Sequence, residues 1–268
     1  MIRKTLLLTL AAPILLAKTA APAPALTYEQ KEEFLLKAAV KQTHGAKKGI
    51  TGTIRATLSD GTITHDASIQ RLDEEKAKFE GSNGTELNFR DSYKFNIAAY
   101  RLAKLLGISS MMPPYVERTF EGSKASWSWW IEDVMMDEVD RMKKKVTAPD
   151  KDLWSRQYLI MKVFDQLIYN TDRNATNIVY DKDWKLWMID HGRAFRMSTS
   201  LLKVKDLEKC DRVLLAKMKA LNVDDVKREI GQWVKPMEIK GLMARRDKIV
   251  AYFEKAGDSL LYDYLSQQ

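Results

Sequence analysis

The chain has 268 residues and a formal net charge of +8, and 45% of its residues are hydrophobic. This composition is typical of a globular protein and excludes the disordered, collagen-like and disulfide-rich classes. Its single cysteine excludes an intramolecular disulfide and a cysteine-cluster metal site, and its three histidines argue against a multi-histidine site.

The first 25 residues have the pattern of a secretory signal peptide. Arg3 and Lys4 precede an apolar stretch over residues 5–17, and positions 23–25 supply small residues for cleavage. The apolar stretch is shorter than the roughly 20 residues that a transmembrane helix needs, and an uncleaved membrane anchor is the alternative. We therefore expect an exported protein, periplasmic or extracellular, that is cleaved near Ala25. Cleavage would remove three basic residues and no acid, which lowers the net charge from +8 to +5.

Residues 26–132 are expected to form a first lobe, rich in strands around one helix. The pattern first predicts a short charged helix over 27–45, a hairpin over 53–64 with an Asp60-Gly61 turn, a strand at 67–70 and a loop over 80–88. It then predicts a helix that Asp91 or Ser92 caps and Gly107 ends, and strands at 115–118 and 124–131. The helix is assigned from apolar residues that recur at helical spacing between Phe95 and Leu106.

Residues 133–268 are expected to form a second lobe that is mainly helical. The predicted elements are a helix over 154–169, two short strands at 177–180 and 186–189, and helices over about 206–221, 224–233 and 237–256. A strand-rich half followed by a helical half with an embedded hairpin predicts an α+β fold of two lobes.

The densest polar motif of the chain lies on either side of this short hairpin. Asp172 and Asn177 precede or begin its first strand, and Asp190 follows its second strand. Phosphoryl transfer needs such a set, because one carboxylate positions the attacking hydroxyl and takes its proton, while an Asn and an Asp hold Mg²⁺ against the nucleotide phosphates. The spacing of Asp172 and Asn177 matches the kinase catalytic loop D-x-x-x-x-N. Since the hairpin returns the chain, we expect Asp190 beside Asn177, followed by a turn at Gly192.

A solvated turn is the alternative interpretation of these residues, because Asp, Asn and Thr are common in loops. The spacing D-x-x-x-x-N is a weak signal when it occurs alone. Its combination with a hairpin and with the string I-D-x-G-x-x-F at residues 189–195 is more specific, and it favours the kinase-like interpretation.

The motif resembles that of the atypical kinase fold of phosphoinositide 3- and 4-kinases, in which D-R-H-x-x-N precedes I-D-x-G. Residues 190–195 are most similar to the D-N-G-x-A-F form of type II phosphatidylinositol 4-kinases and secretory-pathway kinases. Residues 50–200 are also similar to exported bacterial proteins that carry the strings D-Q-L-I-x-N-T-D-R-N and W-x-I-D-H.

This resemblance implies a two-lobe, protein-kinase-like fold with a defined set of site residues. Asp172, Arg173 and Asn174 would form the catalytic loop. Asn177 and Asp190 would bind Mg²⁺ or Mn²⁺, and ATP or another nucleoside triphosphate would be the co-substrate.

The resemblance also implies a nucleotide clamp in the first lobe, and the sequence departs from it there. A lysine of the third strand normally pairs with a glutamate of the following helix, but Gln70 and Asn96 stand at these positions. Two amides can hydrogen-bond to each other but supply no positive charge. A lysine from another position, Lys76, Lys78 or Lys94, is the candidate for that charge. The expected nucleotide-binding residues are therefore Gln70, Lys94 and Asn96.

Three functions are compatible with these observations. The first is an exported phosphotransferase that moves a phosphoryl group from a nucleotide to an unidentified acceptor, such as a protein, lipid head group, sugar or small molecule. The second is a pseudokinase, a binding or scaffold module, which the two amides favour and the retained Asp172, Asn177 and Asp190 disfavour. The third is binding to anionic surfaces, but the remaining charge is mild and forms no basic stripe, so no nucleic-acid partner is expected. The oligomeric state is left open.

Overall fold

The computed structural model of the chain describes residues 26–45, 52–81 and 84–267. The predicted signal peptide over residues 1–25 lies outside the described residues. The structure confirms the α+β class, because its first part is rich in strands and its second part is mainly helical. Among the described helices, none combines the length and the apolar character that crossing a membrane requires.

An antiparallel sheet and a separate hairpin make up most of the first part. The elements in chain order are α1 (Tyr28–Lys37), β1 (Ala39–Gly45), β2 (Ile54–Ser59), β3 (Thr64–Gln70), β4 (Asp73–Gly81), β5 (Gly84–Ser92), α2 (Tyr93–Leu106), β6 (Tyr115–Phe120) and β7 (Ser123–Trp129). The sheet has the strand order β1-β2-β3-β7-β6, and β4 and β5 form a separate two-stranded sheet. A small core that includes Leu58, Ile69 and Trp127 lies between the sheet and α1.

Two segments of the first part differ from the sequence-based prediction. The helix expected over 27–45 ends at Lys37, and β1 follows it at the sheet edge, paired with β2. Every residue of β1 is exposed, so no alternation of buried and exposed positions marks it as a strand. The loop expected over 80–88 belongs instead to the β4–β5 hairpin, whose strands carry mainly polar and charged side chains.

Helices and two small sheets make up the second part. The elements are β8 (Val134–Asp137), α3 (Glu138–Lys144), α4 (Lys151–Ile168), β9 (Ile178–Asp181), β10 (Leu186–Met188), β11 (Cys210–Asp211), α5 (Arg212–Ala220), α6 (Val223–Ile230), α7 (Pro236–Ala256) and β12 (Leu261–Tyr262). The strands β8, β9 and β10 form one antiparallel sheet. The helix expected from about residue 206 begins only at Arg212, because Asp211 pairs in β11 and its side chain caps α5. The expected division between the lobes falls between β7 and β8.

The helix α2 connects the two parts of the molecule. The Ser92 hydroxyl caps its first turn, and Gly107 ends it in the left-handed conformation with φ 73°, as the sequence predicts. Its buried residues, among them Phe95 and Leu102, belong to the large core that α4, α5, α6 and α7 also build. The helix is therefore packed against the second part as well as against the sheet.

Candidate active site

The loop after α4 carries the first residues of the predicted motif. The helix ends at Ile168, and Tyr169 takes the left-handed conformation with φ 53°. The Asn170 amide then donates to Asp165 Oδ1 at 3.0 Å, and its oxygen accepts the backbone N–H of Asp172 at 3.2 Å. These bonds fix the backbone of Asp172, while its side chain is 43% exposed and accessible to a second molecule.

Arg173 points into the protein and holds this loop in place. Its guanidinium pairs with buried Asp165, with Nε 2.8 Å from Oδ2, and donates to the carbonyls of Asn177 at 2.9 Å and Ile189 at 2.7 Å. It also donates to His191 Nε2 at 2.8 Å. Arg173 therefore ties the loop to both ends of the β9–β10 hairpin, and its donors are largely used within the protein.

The hairpin brings Asn177 and Asp190 to the same place. The Ile189 N–H donates to the Asn177 carbonyl at 3.2 Å, so that the next residue, Asp190, lies beside Asn177. The Asn177 amide nitrogen donates to the Asp172 carbonyl at 3.2 Å, which leaves the amide oxygen available to a ligand. Asp190 takes a left-handed conformation with φ 54°, and its Oδ1 accepts the Gly192 N–H at 3.3 Å.

A third carboxylate, that of Asp91, faces these residues from the end of β5. Gly192 permits this approach, because a Cβ at that position would collide with Asp91 Oδ1. Burial, together with the charge of Asp190, raises the pKa of Asp91 to about 6. Burial also raises the pKa of Asp190, and the charge of Asp172 acts in the same direction. From the sequence, Asp91 is only a candidate cap of α2, since no spacing rule connects it with the motif.

Gln70 and Asn96 are in direct contact. Asn96 Nδ2 donates to Gln70 Oε1 at 2.6 Å, and Asn96 Oδ1 accepts the backbone N–H of His191, also at 2.6 Å. Because an N–H group can donate only to the oxygen, the second bond fixes the orientation of the Asn96 amide. We call Gln70, Asn96 and the His191 N–H the amide relay. It joins β3, α2 and the segment after β10 without using any charged group.

Lys94 and Asn174 bond to groups outside the carboxylate set. Lys94 Nζ pairs with Asp73 Oδ2 at 2.6 Å, at the start of β4. Asn174 Oδ1 accepts the Thr176 N–H at 3.0 Å, and its Nδ2 donates to the Asp172 carbonyl at 3.3 Å. Lys94 thus neutralises a carboxylate of the hairpin, and Asn174 supports the backbone of the loop while remaining exposed.

His191 lies fully buried beside the motif. Burial and the charge of Arg173 lower its pKa well below the ordinary value of histidine, so the ring is neutral at pH 7. Since Nε2 accepts from Arg173, the ring proton lies on Nδ1, which has no hydrogen-bond partner among the described residues. The ring packs against Phe164, with centroids 6.1 Å apart, and its burial favours a packing role over proton exchange with solvent.

Two arginines of the segment after β10 connect the site to the β4–β5 hairpin. Arg193 and Arg196 both pair with Glu86 of β5, each at 2.6 Å. Arg193 Nη1 also lies 3.6 Å from Asp172 Oδ1. A cavity of about 390 Å³ lies under the hairpin, and Glu86, Arg196 and Thr171 are among its lining residues. The segment that the sequence predicts as a loop therefore covers one side of the site.

The oxygen donors of the site suit a cation that shares its ligands with a phosphate. In the part of the chain that the structure describes, no three His, Cys, Asp or Glu side chains are arranged to hold a metal ion on their own. Asn177 Oδ1 and the Asp190 carboxylate are hard donors, and Mg²⁺ usually takes one or two protein carboxylates together with waters and substrate phosphates. A bound cation would also relieve the repulsion between Asp190 and Asp172.

The two-part architecture, with the amide relay and the polar hairpin between its parts, is a kinase-like fold. The chain is similar in structure to a Golgi casein kinase, with a TM-score of 0.61, 14% sequence identity, and coverage of 88% of this chain and 78% of that chain. It is also similar to the Helicobacter pylori proinflammatory kinase CtkA, with a TM-score of 0.44, 10% identity, and coverage of 80% and 91%. No protein-family model and no curated protein matches the sequence.

Proposed function

We propose that the protein is an atypical kinase-like phosphotransferase that moves a phosphoryl group from a nucleoside triphosphate to the hydroxyl of an unidentified acceptor. The observation that carries this proposal is the juxtaposition of Asp172, Asn177 and Asp190. Two hydrogen bonds produce it, one from the Ile189 N–H to the Asn177 carbonyl and one from the Asn177 side-chain amide to the Asp172 carbonyl. The likeness to a Golgi casein kinase supports the proposal at the level of the fold.

Each of these side chains has a role in the proposed reaction. The exposed Asp172 carboxylate orients the acceptor hydroxyl and takes its proton as the acceptor oxygen bonds to the terminal phosphorus. The bond from that phosphorus to the bridging oxygen breaks, and the nucleoside diphosphate leaves. Mg²⁺ or Mn²⁺, held by Asn177 and Asp190, would neutralise charge on the phosphates. Arg173 contributes indirectly, by fixing Asp172 and Asn177 relative to each other.

The cavity under the β4–β5 hairpin is the proposed acceptor site. Thr171, which lines it, directly precedes Asp172 in the chain. Exposed Leu87 and Met197 also line this cavity, so an acceptor with both apolar and polar groups fits its surface. This placement puts the acceptor on the same side as the carboxylate that would accept its proton.

A pseudokinase that binds partners without catalysis is the second candidate. The amide relay favours it, because two neutral side chains occupy the positions at which the resemblance implies a lysine and a glutamate. In that case the protein would retain the fold and the interlobe link but bind nucleotide weakly or not at all.

Nucleotide-dependent stabilisation tests the first candidate against the second. The melting temperature is measured with ATP or GTP, each with Mg²⁺, with Mn²⁺ and without metal. A phosphotransferase should show stabilisation that needs both nucleotide and metal, since a ligand that binds only the folded state raises its stability. Asp190→Asn should abolish the shift, and Asp183→Asn, an exposed residue of the β9–β10 turn, should retain it.

Transfer itself is then tested with radiolabelled nucleotide and the variant Asp172→Ala. The variant should bind nucleotide and metal as the wild type does but transfer about 10² to 10⁴ times more slowly, the usual contribution of a general base. The absence of any shift with every nucleotide and metal combination would contradict the enzyme proposal and leave the pseudokinase.

We also propose that residues 1–25 are a cleaved signal peptide and that the mature protein acts outside the cytoplasm. The two lobes would then comprise residues 26–132 and 133–268. The pattern of charge, apolar stretch and small residues in the leader supports this proposal.

A further inference from the structure

Among the described residues of the first lobe, no lysine has yet been identified that could supply positive charge to the nucleotide phosphates. Gln70 occupies the expected lysine position on β3 and bonds to Asn96. The three lysines that the sequence offers as substitutes each pair with a nearby acid. Lys76 lies 2.7 Å from Glu74, Lys78 lies 2.5 Å from Glu80, and Lys94 lies 2.6 Å from Asp73.

Arg193 is held at the site by contacts on its backbone and its side chain. The N–H and the hydroxyl of Thr171 donate to the Arg193 carbonyl at 3.3 and 3.1 Å. The guanidinium lies over the Phe89 ring, 4.9 Å from its centroid, and one amino group pairs with Glu86 at 2.6 Å. The residue is thereby anchored directly beside the loop that carries Asp172.

Two nitrogens of the Arg193 guanidinium, Nη1 and Nε, form no hydrogen bond to a protein group among the described residues, although Nη1 pairs by charge with Asp172. Its Nη1 lies 3.6 Å from Asp172 Oδ1, too far for a hydrogen bond. Its Nε is buried and has no hydrogen-bond partner among the described residues. Arg173, the other arginine beside the motif, is different, because its donors bond to Asp165, Asn177, Ile189 and His191.

We propose that Arg193 supplies positive charge to the nucleotide, which β3 does not, and binds its terminal phosphate. This inference rests on the proposed phosphotransferase function and adds a charged residue to its site. The planar fork of a guanidinium matches phosphate oxygens better than an ammonium group does. Glu86 pairs with Nη2, so Nη1 is the amino group that lies toward Asp172, where the phosphoryl group passes to the acceptor.

The inference predicts a loss of affinity that depends on the number of phosphates. In Arg193→Gln, binding of a non-hydrolysable triphosphate analogue with Mn²⁺ should weaken about 10- to 100-fold, the usual effect of losing a hydrogen bond to a charged group. Binding of the corresponding diphosphate should change less than about threefold, because the contact lies at the terminal phosphate. Arg193→Lys should give an intermediate loss, since it keeps the charge but not the fork.

The affinities are measured by isothermal titration calorimetry with two ligands, the imidodiphosphate analogue of the triphosphate and the diphosphate. Both carry the base, adenine or guanine, whose nucleotide stabilises the wild type. Arg71→Gln is the matched control: Arg71 follows Gln70, is 42% exposed, and pairs with Glu121, so both affinities should be unchanged. Circular dichroism and melting curves establish that each variant is folded. If Arg193→Gln does not fold, the comparison is made with Arg193→Lys.

Other outcomes overturn the inference and point elsewhere. Equal losses for both nucleotides would place Arg193 at another phosphate or in a structural role. Unchanged nucleotide binding with weaker acceptor binding would assign it to the acceptor. Tighter metal binding in Arg193→Gln would show that the arginine only neutralises the carboxylates of Asp91, Asp172 and Asp190. A wild type that binds no nucleotide would refute the proposed function as well, whereas normal wild-type binding with an unaffected variant refutes the role of Arg193 alone.

Discussion

At the scale of single residues, the site depends on one close approach, that of Asp91 to Gly192. A side chain at Gly192 would displace the Asp91 carboxylate, and with it the end of β5. The Ser92 N–H also donates to the Gly192 carbonyl at 2.9 Å. The start of α2 and the segment after β10 are thus in direct backbone contact, which explains why a third carboxylate lies so close to Asp190.

The raised pKa of Asp91 predicts how stability depends on pH. Folding raises this pKa from its unfolded value of roughly 4 to about 6, so the folded protein binds the proton more tightly than the unfolded chain does. We therefore compare the free energy of unfolding of the wild type with that of Asp91→Asn. The difference, wild type minus variant, should fall by about 1 to 2 kcal/mol as the pH rises from 4 to 6, after allowance for solvent screening. Urea denaturation of both metal-free proteins at several pH values measures this difference. A difference between the two proteins that does not change with pH would contradict the prediction.

The sequence predicts the residues of the motif better than their surroundings. Asp172, Asn177 and Asp190 are predicted from the D-x-x-x-x-N spacing together with the hairpin and the string at residues 189–195, and the short hairpin leaves few ways for Asn177 and Asp190 to be apart. The pairing of Gln70 with Asn96 is foreseen from the positions of a known ion pair. Asp91 and Arg193 cannot be found in this way, since their roles come from contacts between segments far apart in the chain.

At the scale of secondary structure, the β4–β5 hairpin shows why a segment can be mistaken for a loop. Its strands expose charged residues on both faces, so hydrophobic alternation is absent. Tertiary contacts at its base hold it instead. Arg90 pairs with Glu238 of α7, and both side chains are buried, with 11% and 3% exposed.

The pair of Arg90 and Glu238 predicts a strong coupling between the hairpin and α7. Arg90→Met should lower the free energy of unfolding by about 3 kcal/mol, because it leaves a buried carboxylate without its charged partner. The double variant Arg90→Met/Glu238→Gln should recover more than half of that loss, since no unpaired charge is then buried. Urea denaturation in a double-mutant cycle measures the coupling.

Lys182→Met provides the control for this cycle. Lys182 pairs with Asp133 on the surface, where both side chains are well exposed, and the exposed pair should contribute nothing measurable. Additive effects of the two core substitutions would show that the hairpin is not anchored through this ion pair.

The sequence predicts where α2 begins and ends, but not which elements it packs against. Ser92 and Gly107 mark both ends in the sequence, and the structure confirms them. That its apolar face belongs to the core of the helical part follows only from the tertiary fold. A helix packed in this way cannot swing away from the second part without exposing buried residues such as Phe95 and Leu102, so we infer that the amide relay stays assembled in the folded protein.

At the scale of the whole molecule, the proposed cleavage site stands just before the first described element. The helix α1 begins at Tyr28, and Thr27 and Gln30 form a reciprocal capping box at its start. Cleavage after Ala25 would leave this cap intact. Expression of the full chain in a bacterial host should yield a periplasmic or secreted product that begins at Leu26, as intact-mass spectrometry would show. Replacement of the apolar stretch at Leu6–Leu8 by three Lys residues should leave the uncleaved chain in the cytoplasm.

The amide relay has a consequence for the conditions in which the protein works. Screening by dissolved ions weakens attraction between exposed charges, with a Debye length of about 10 Å at 0.1 M salt, but it has little effect on hydrogen bonds between neutral amides. The amide relay links β3 through α2 to the segment after β10 by two bonds of this kind. A protein outside the cytoplasm, as we propose this one to be, meets fluctuating ionic strength, and this link would persist across that range.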